Sequence, residues 1–255
     1  MWNDINTGAY SGMIAETVSI PRENGDKLNV YYSRPITSEN VPSIVLIPHM
    51  PGWDEWCRET ARRFTEHGYA VVCPDIYSKF GYGNPAEISA KVREGGGVSD
   101  KSVMNDCQTS INFLRAQQKS NGKVGIIGMC SGGRHAFLAA CTVEGFDAAV
   151  DCWGGGVVMQ PSDLSPARPV APIDYTEKLS IPLLGIFGNE DRSPTAADVN
   201  VLEERLKAAG KDYEFHRYDG AGHGIWYYDK PMYRQEAAMD SWNKTLAFFD
   251  RHLKT

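Results

Sequence analysis

Two periods of apolar residues run along this chain. Over Met13–Ile20 and Lys27–Arg34 apolar and polar positions alternate, and Asn24-Gly25-Asp26 lies between them, predicting a β-hairpin. From residue 43 onward the apolar runs become near-continuous, at Ser43–Pro48, Tyr69–Cys73, Lys123–Met129, Asp147–Cys152 and Ile181–Phe187, with a more polar strand pattern at Tyr213–Tyr218. Runs of that length without alternation predict strands buried on both faces. Between them lie amphipathic or Ala-rich stretches that predict helices, at Asp54–His67, Asp100–Gln118, His135–Cys141, Ala196–Ala209 and Met239–His252. Gly68 stands where the first of these helices should end. The alternation of buried strand and helix predicts an α/β fold with a mostly parallel sheet covered on both faces. A length of 255 residues suits one such domain, residues 1–255.

Two stretches do not fit this layering. Residues 78–97 are Gly-rich and polar, and residues 155–178 carry four prolines. Long irregular loops in a compact domain are expected to be lids or pocket walls. Gly81-Tyr-Gly-Asn-Pro-Ala86 superficially matches a dinucleotide fingerprint. It does not open a helix directly after a strand, and Pro85 is expected to disturb one, so no nucleotide cofactor is read from it.

Composition narrows the function classes. With 26 basic against 32 acidic residues the net charge is −6, which argues against nucleic acid as a partner. There is no basic amphipathic stretch for a membrane surface, and the longest apolar runs are too short to span a bilayer. The N-terminus lacks the cationic start and apolar core of a secretory signal, so a cytoplasmic location is expected and Asn243-Lys-Thr245 carries little weight as a glycosylation triplet. The six cysteines, at 57, 73, 107, 130, 141 and 152, include no C-x-x-C pair for a zinc or dithiol site. No metal is expected.

One cysteine stands apart. Lys123-Val-Gly-Ile-Ile-Gly-Met-Cys-Ser-Gly-Gly133 runs a strand into Gly128-x-Cys130-x-Gly132 and then into a helical stretch. That is the context of a nucleophile elbow, with cysteine in place of the commoner serine. The flanking positions must be nearly free of side chain because strand and helix crowd together there. Placing the nucleophile at Ser131 would put Met129 at a position that must be small, so Cys130 is the candidate.

A cysteine nucleophile needs a base, and the base an orienting acid, which follow the nucleophile in the chain in that fold. Beyond the elbow helix, His216 lies in a strand pattern and His252 at a helix end. His223 sits in the Gly-rich loop Gly220-Ala-Gly-His-Gly224 after the last strand, and is the candidate base. Asp191, in Gly188-Asn-Glu-Asp191 after the strand Ile181–Phe187, is the candidate acid, with Glu190 and Asp151 as competitors. An oxyanion hole would take one N–H from Ser131 and one from the loop Pro48-His-Met-Pro-Gly-Trp53. Pro48 and Pro51 have no N–H, which makes Met50 the candidate; His49 beside it could contact Cys130.

These segments, together with Arg58-Glu-Thr60, Gly68-Tyr-Ala-Val-Val-Cys-Pro-Asp-Ile-Tyr77, Asn121-Gly-Lys-Val-Gly125 and Ala221-Gly-His-Gly224, resemble the dienelactone hydrolase (carboxymethylenebutenolidase) family of α/β-hydrolases over residues 14–253. The resemblance implies a triad of Cys130, His223 and Asp191, oxyanion donors at Met50 and Ser131, and no metal or organic cofactor. It implies hydrolysis of a small ester or lactone through a thioester, by a monomer or homodimer. Two departures stand out. His49 occupies the position of a glutamate that meets the resting thiol in the family, and Tyr227 the position of an arginine that binds the substrate carboxylate. Without that clamp, a neutral or aromatic substrate is expected, held by His49, Trp53, Trp153, Trp226 and Tyr227. Arg93 and Arg168 remain open as alternative carboxylate partners. A cofactor-free lyase or isomerase using His49, and a non-hydrolytic small-molecule sensor, are the rival functions.

Overall fold

The computed structural model describes residues 12–255. Its centre is one eight-stranded sheet built from β1 (Met13–Pro21), β2 (Lys27–Pro35), β3 (Val41–Ile47), β4 (Ala70–Pro74), β5 (Ser120–Met129), β6 (Ala148–Cys152), β7 (Leu183–Gly188) and β8 (Tyr213–Tyr218). The order across the sheet is β1-β2-β4-β3-β5-β6-β7-β8. β1 and β2 form the antiparallel hairpin, β2 pairs antiparallel with β4, and every later pairing is parallel. This is the mostly parallel α/β sheet that the apolar runs predict.

The helices are α1 (Glu55–Glu66), α2 (Pro85–Glu94), α3 (Asp100–Arg115), α4 (Ser131–Thr142), α5 (Ala196–Ala208) and α6 (Gln235–Leu253). Successive strand residues point to opposite faces, so each buried strand feeds two cores. From β3, Val45 and Ile47 join Val103, Ile111, Phe137 and Leu202 from α3, α4 and α5. Ile44 and Leu46 join Cys57, Phe64, Phe248 and Phe249 from α1 and α6 on the other face.

The irregular stretches hold more order than expected. Residues 78–97 contain α2, and Pro85 starts this helix instead of disturbing it. Asn84 caps the helix, its side chain accepting the Ala86 N–H at 2.9 Å, and Pro85 takes the first helical position, where no N–H is needed. The stretch 155–178 holds two short 3₁₀ turns, Pro161–Asp163 and Pro172–Lys178. α4 starts at Ser131, directly on the elbow, and α6 starts at Gln235, four residues before the expected Met239.

Candidate active site

The elbow is as tight as its glycines imply. Cys130 has φ 57 and ψ −123, a left-handed conformation that a residue other than glycine adopts only when its surroundings impose it. What imposes it is the join of β5 to α4. The Cys130 N–H donates to Cys152 O on β6 at 3.0 Å, and the Cys130 carbonyl accepts from Gly133 N–H at 3.0 Å in the first turn of α4. A Cβ on Gly128 would lie 2.0 Å from Gly132 O, and one on Gly132 would lie 2.4 Å from Ile47 O. No larger residue fits either position without moving backbone.

Cys130, Ser131, Met50 and His223 lie together on one cavity, and the Ser131 and Met50 N–H groups and the His223 imidazole act on the Cys130 sulfur. His223 Nδ1 lies 2.9 Å from Asp191 Oδ2, and Asp191 Oδ1 accepts the Ser193 N–H at 2.8 Å. Asp191 is buried. Burial pushes the Cys130 thiol up. The His223 hydrogen bond and charge, with the two N–H groups, outweigh it and hold the thiol below its ordinary value. Burial alone would lower His223; the carboxylate of Asp191 and the sulfur of Cys130 instead push it up to about 10. Each group therefore favours the charged form of the other, thiolate beside imidazolium.

The competing acids are placed elsewhere. Glu190 is exposed. Asp151 is buried at the end of β6, where its Oδ1 accepts the Gly154 N–H at 2.8 Å. His216 Nε2 meets Glu214 Oε1 at 2.6 Å, and His252 packs on Phe248. His135, on the elbow helix, falls outside the histidines weighed from sequence. It lines the same cavity as Cys130, with Nε2 3.4 Å from Asp100 Oδ1 and with Nδ1 buried and unpartnered.

That cavity has a volume of ≈ 540 Å³. Its lining includes Cys130, Ser131, Met50, His223 and Asp191, together with Arg93, Arg168 and Arg192. Among the described residues none of the three guanidinium groups has an ion-pair partner, and Arg168 Nε is buried without a hydrogen bond. None of His49, Trp53, Trp153, Trp226 and Tyr227 lines it. These five are committed to packing on the α1 and α6 side of the sheet. Trp53 Nε1 donates to Cys73 O at 3.1 Å, Trp226 Nε1 donates to Ser241 Oγ at 2.7 Å, and Trp153 packs edge-on against Trp226. His49 and Tyr227 are hydrogen-bonded to each other at 2.7 Å. Of the side chains expected to hold the substrate, none lines this cavity, and three arginines do. Cys130 itself packs against the cluster that holds these aromatic rings, while arginines from α2 and two distant loops line the cavity beside it. A second hollow of ≈ 550 Å³, between α1 and α6, includes Trp226 but no member of the Cys130–His223–Asp191 set.

One group among the described residues has donor atoms spaced for a metal. His49, Asp54 and Cys57 each offer one ligand atom, and these lie within 4.8 Å of one another. Both His49 ring nitrogens already have partners there, Asp54 Oδ2 at 2.9 Å and Tyr227 Oη at 2.7 Å. No helix among the described residues is long and apolar enough to cross a membrane.

The chain is similar to known proteins over most of its length. The protein named "Putative carboxymethylenebutenolidase" of Methylorubrum extorquens is 30% identical over 247 residues, covering 95% of this chain and 82% of that one. The "Probable 2-oxo-3-(5-oxofuran-2-ylidene)propanoate lactonase" of Bradyrhizobium sp is 26% identical over 234 residues, covering 90% and 92%. The crystal structure titled "Putative Dienelactone Hydrolase" from Klebsiella pneumoniae superposes with a TM-score of 0.86 at 28% identity, covering 94% of this chain and 99% of that one. It shares the α/β-hydrolase arrangement of sheet and helices described above. The model of the dienelactone hydrolase family matches residues 28–253, from β2 to the end of α6, so the chain belongs to that family and is a hydrolase of esters or lactones.

Proposed function

We propose that this enzyme hydrolyses a carboxylic ester or lactone bearing an anionic group, through a thioester on Cys130. One observation carries the chemistry: Cys130, on its strained elbow, lines one cavity with Met50, Ser131 and His223, and His223 Nδ1 lies 2.9 Å from Asp191 Oδ2. The thiolate attacks the acyl carbon, and the carbonyl oxygen becomes an oxyanion held by the Met50 and Ser131 N–H groups. The tetrahedral species collapses to the thioester as the His223 imidazolium gives its proton to the leaving alkoxide. Water, deprotonated by His223, then attacks the thioester, and the acid leaves as the Cys130 thiolate re-forms. Asp191 holds His223 in the required orientation throughout.

Three unpaired arginines around one cavity support an anionic substrate, since a guanidinium binds a carboxylate by charge-assisted, often bidentate hydrogen bonds. The lactone in the Bradyrhizobium relative's name is likewise a propanoate. The reading as a lyase or isomerase needed His49 as a second proton-transfer group, and His49 does not line the cavity. The six cysteines are unbridged, which favours a reducing compartment such as the cytoplasm. The triad and cavity come from one chain, compatible with a monomer or homodimer.

The test is acyl-enzyme trapping. Mixing with a slowly hydrolysed aryl ester and quenching in acid should give one acyl mass on the Cys130 peptide by mass spectrometry. Turnover should vanish in Cys130→Ala; an acyl group elsewhere, or undiminished turnover in that variant, refutes the reading.

A further inference from the structure

The two N–H groups that meet the Cys130 sulfur are held very differently. Ser131 is the first residue of α4, and its position follows from the helix. Met50 lies in the segment between β3 and α1, which has no regular structure and includes Pro48 and Pro51, neither of which can donate a main-chain hydrogen bond. Tyr77 Oη donates to Met50 O, but at 3.3 Å. The stronger ties belong to the neighbouring residue. His49 Nε2 lies 2.9 Å from Asp54 Oδ2 and His49 Nδ1 lies 2.7 Å from Tyr227 Oη. The His49 carbonyl accepts the Gly52 N–H at 2.8 Å, and its ring stacks on Trp56 with centroids 5.1 Å apart. His49 is itself buried.

The partners of His49 are informative. Asp54 is the N-cap of α1, its other oxygen accepting the Cys57 N–H at 2.9 Å, so it is fixed to a helix end. Tyr227 lies four residues past His223, in the same loop, with its N–H donating to Gly224 O at 2.9 Å. The imidazole of His49 thus spans from the start of α1 to the segment that carries the base, and the next residue in the chain carries an oxyanion donor.

We infer that His49 and Tyr227 are positioning residues, a brace that holds the Met50 N–H at the oxyanion site and couples that loop to the His223 loop. This rests on the reading that acyl transfer runs through Cys130. Neither side chain touches the substrate cavity. The brace acts through the main chain of the residue beside it, where a displacement of about 1 Å is enough to cost two orders of magnitude in rate.

Tyr227→Phe removes the hydroxyl and keeps the ring packing against Trp56 and Trp153. With a saturating ester, kcat should fall about ten- to a hundredfold while KM stays within about twofold, because only the transition state uses the oxyanion donor. Alkylation of Cys130 by iodoacetamide displaces iodide at a methylene carbon and builds no oxyanion, so its rate should stay within about threefold. His49→Gln should lose as much as Tyr227→Phe, and the double variant little more, since both break one brace. A wild-type kcat in Tyr227→Phe overturns the inference. So does a change confined to KM, which would make Tyr227 a substrate contact, or a parallel loss of alkylation, which would place its effect on the thiolate. Additive losses in the double variant would also overturn it. Cys130→Ala, assayed alongside, separates the two levels: an active Cys130→Ala refutes the thioester reading itself, and an inactive one with an unimpaired Tyr227→Phe refutes only the brace.

Discussion

Asp191 and Glu190 are adjacent in the chain, yet only Asp191 is turned inward, with Oδ2 2.9 Å from His223 Nδ1 while Glu190 is exposed. The loop after β7 makes the difference. Asp191 N–H donates to Gly188 O at 3.2 Å, and the Asp191 side chain accepts from Ser193.

Asp191→Asn should therefore lower kcat by a few orders of magnitude, as loss of the orienting carboxylate does in comparable triads. Glu190→Gln should leave kcat within about twofold. The carboxylate also raises His223, so its removal weakens the imidazolium and lets the Cys130 thiol rise. The pH midpoint of thiolate absorbance near 240 nm should move upward in Asp191→Asn. An unmoved midpoint would show that Asp191 does not support the charge on His223.

The same electrostatics makes Cys130 the reactive thiol. Burial pushes Cys57, Cys107, Cys141 and Cys152 upward, whereas His223 and two N–H groups bring Cys130 down. Limited iodoacetamide at pH 7 should label Cys130 first and inactivate in step with labelling. Peptide mapping that finds Cys57 or Cys107 modified in inactive enzyme, with Cys130 free, counts against this.

The cationic cavity makes a kinetic prediction. A free-acid ester should exceed its methyl ester in kcat/KM by about ten- to a hundredfold, the worth of a charge-assisted contact of about 1.5–3 kcal/mol. Arg168→Ala should erase most of that preference, with smaller effects from Arg93→Ala and Arg192→Ala at the more exposed positions. Equal kcat/KM for the two substrates would return the pocket to the neutral reading.

Asp151 gives a prediction about stability. Burial pushes its carboxyl from 3.8 up to about 7. A carboxyl raised on folding stabilises the protein fully below its unfolded value and loses that contribution as pH climbs toward the folded one. Wild type should lose up to about 1.4 kcal/mol per pH unit from this group between pH 4 and 7. Asp151→Asn keeps an acceptor for the Gly154 N–H and removes the titration. Its urea midpoint relative to wild type should rise from pH 5 to pH 7 and level off above. A constant difference would remove Asp151 from the pH dependence.

Local residues fixed what could be read in advance. The apolar runs gave the parallel strands, and the small residues around Cys130 gave the elbow register, because both are set by neighbours in the chain. The helix at Pro85 was missed because proline was treated as a breaker at the one helical position that suits it. The cavity wall is not legible in the sequence for a different reason. Whether Arg168 and Arg192 line the same cavity as Arg93 depends on loop paths that no local pattern encodes. His49 was placed beside the nucleophile in sequence, but its partners Asp54 and Tyr227 could be seen only in three dimensions.

Both N–H groups at the Cys130 sulfur belong to the main chain, and this bears on how such an enzyme can diversify. Replacing the side chain of Met50 or Ser131 leaves the donors in place, so these positions can be substituted while the charge-stabilising groups persist. The cavity wall and the reactive core are thus encoded separately: one in side chains that can drift, the other in backbone that drifts only when a loop is rebuilt. New substrate preferences in this lineage can then arise by point substitution around an unchanged reaction centre.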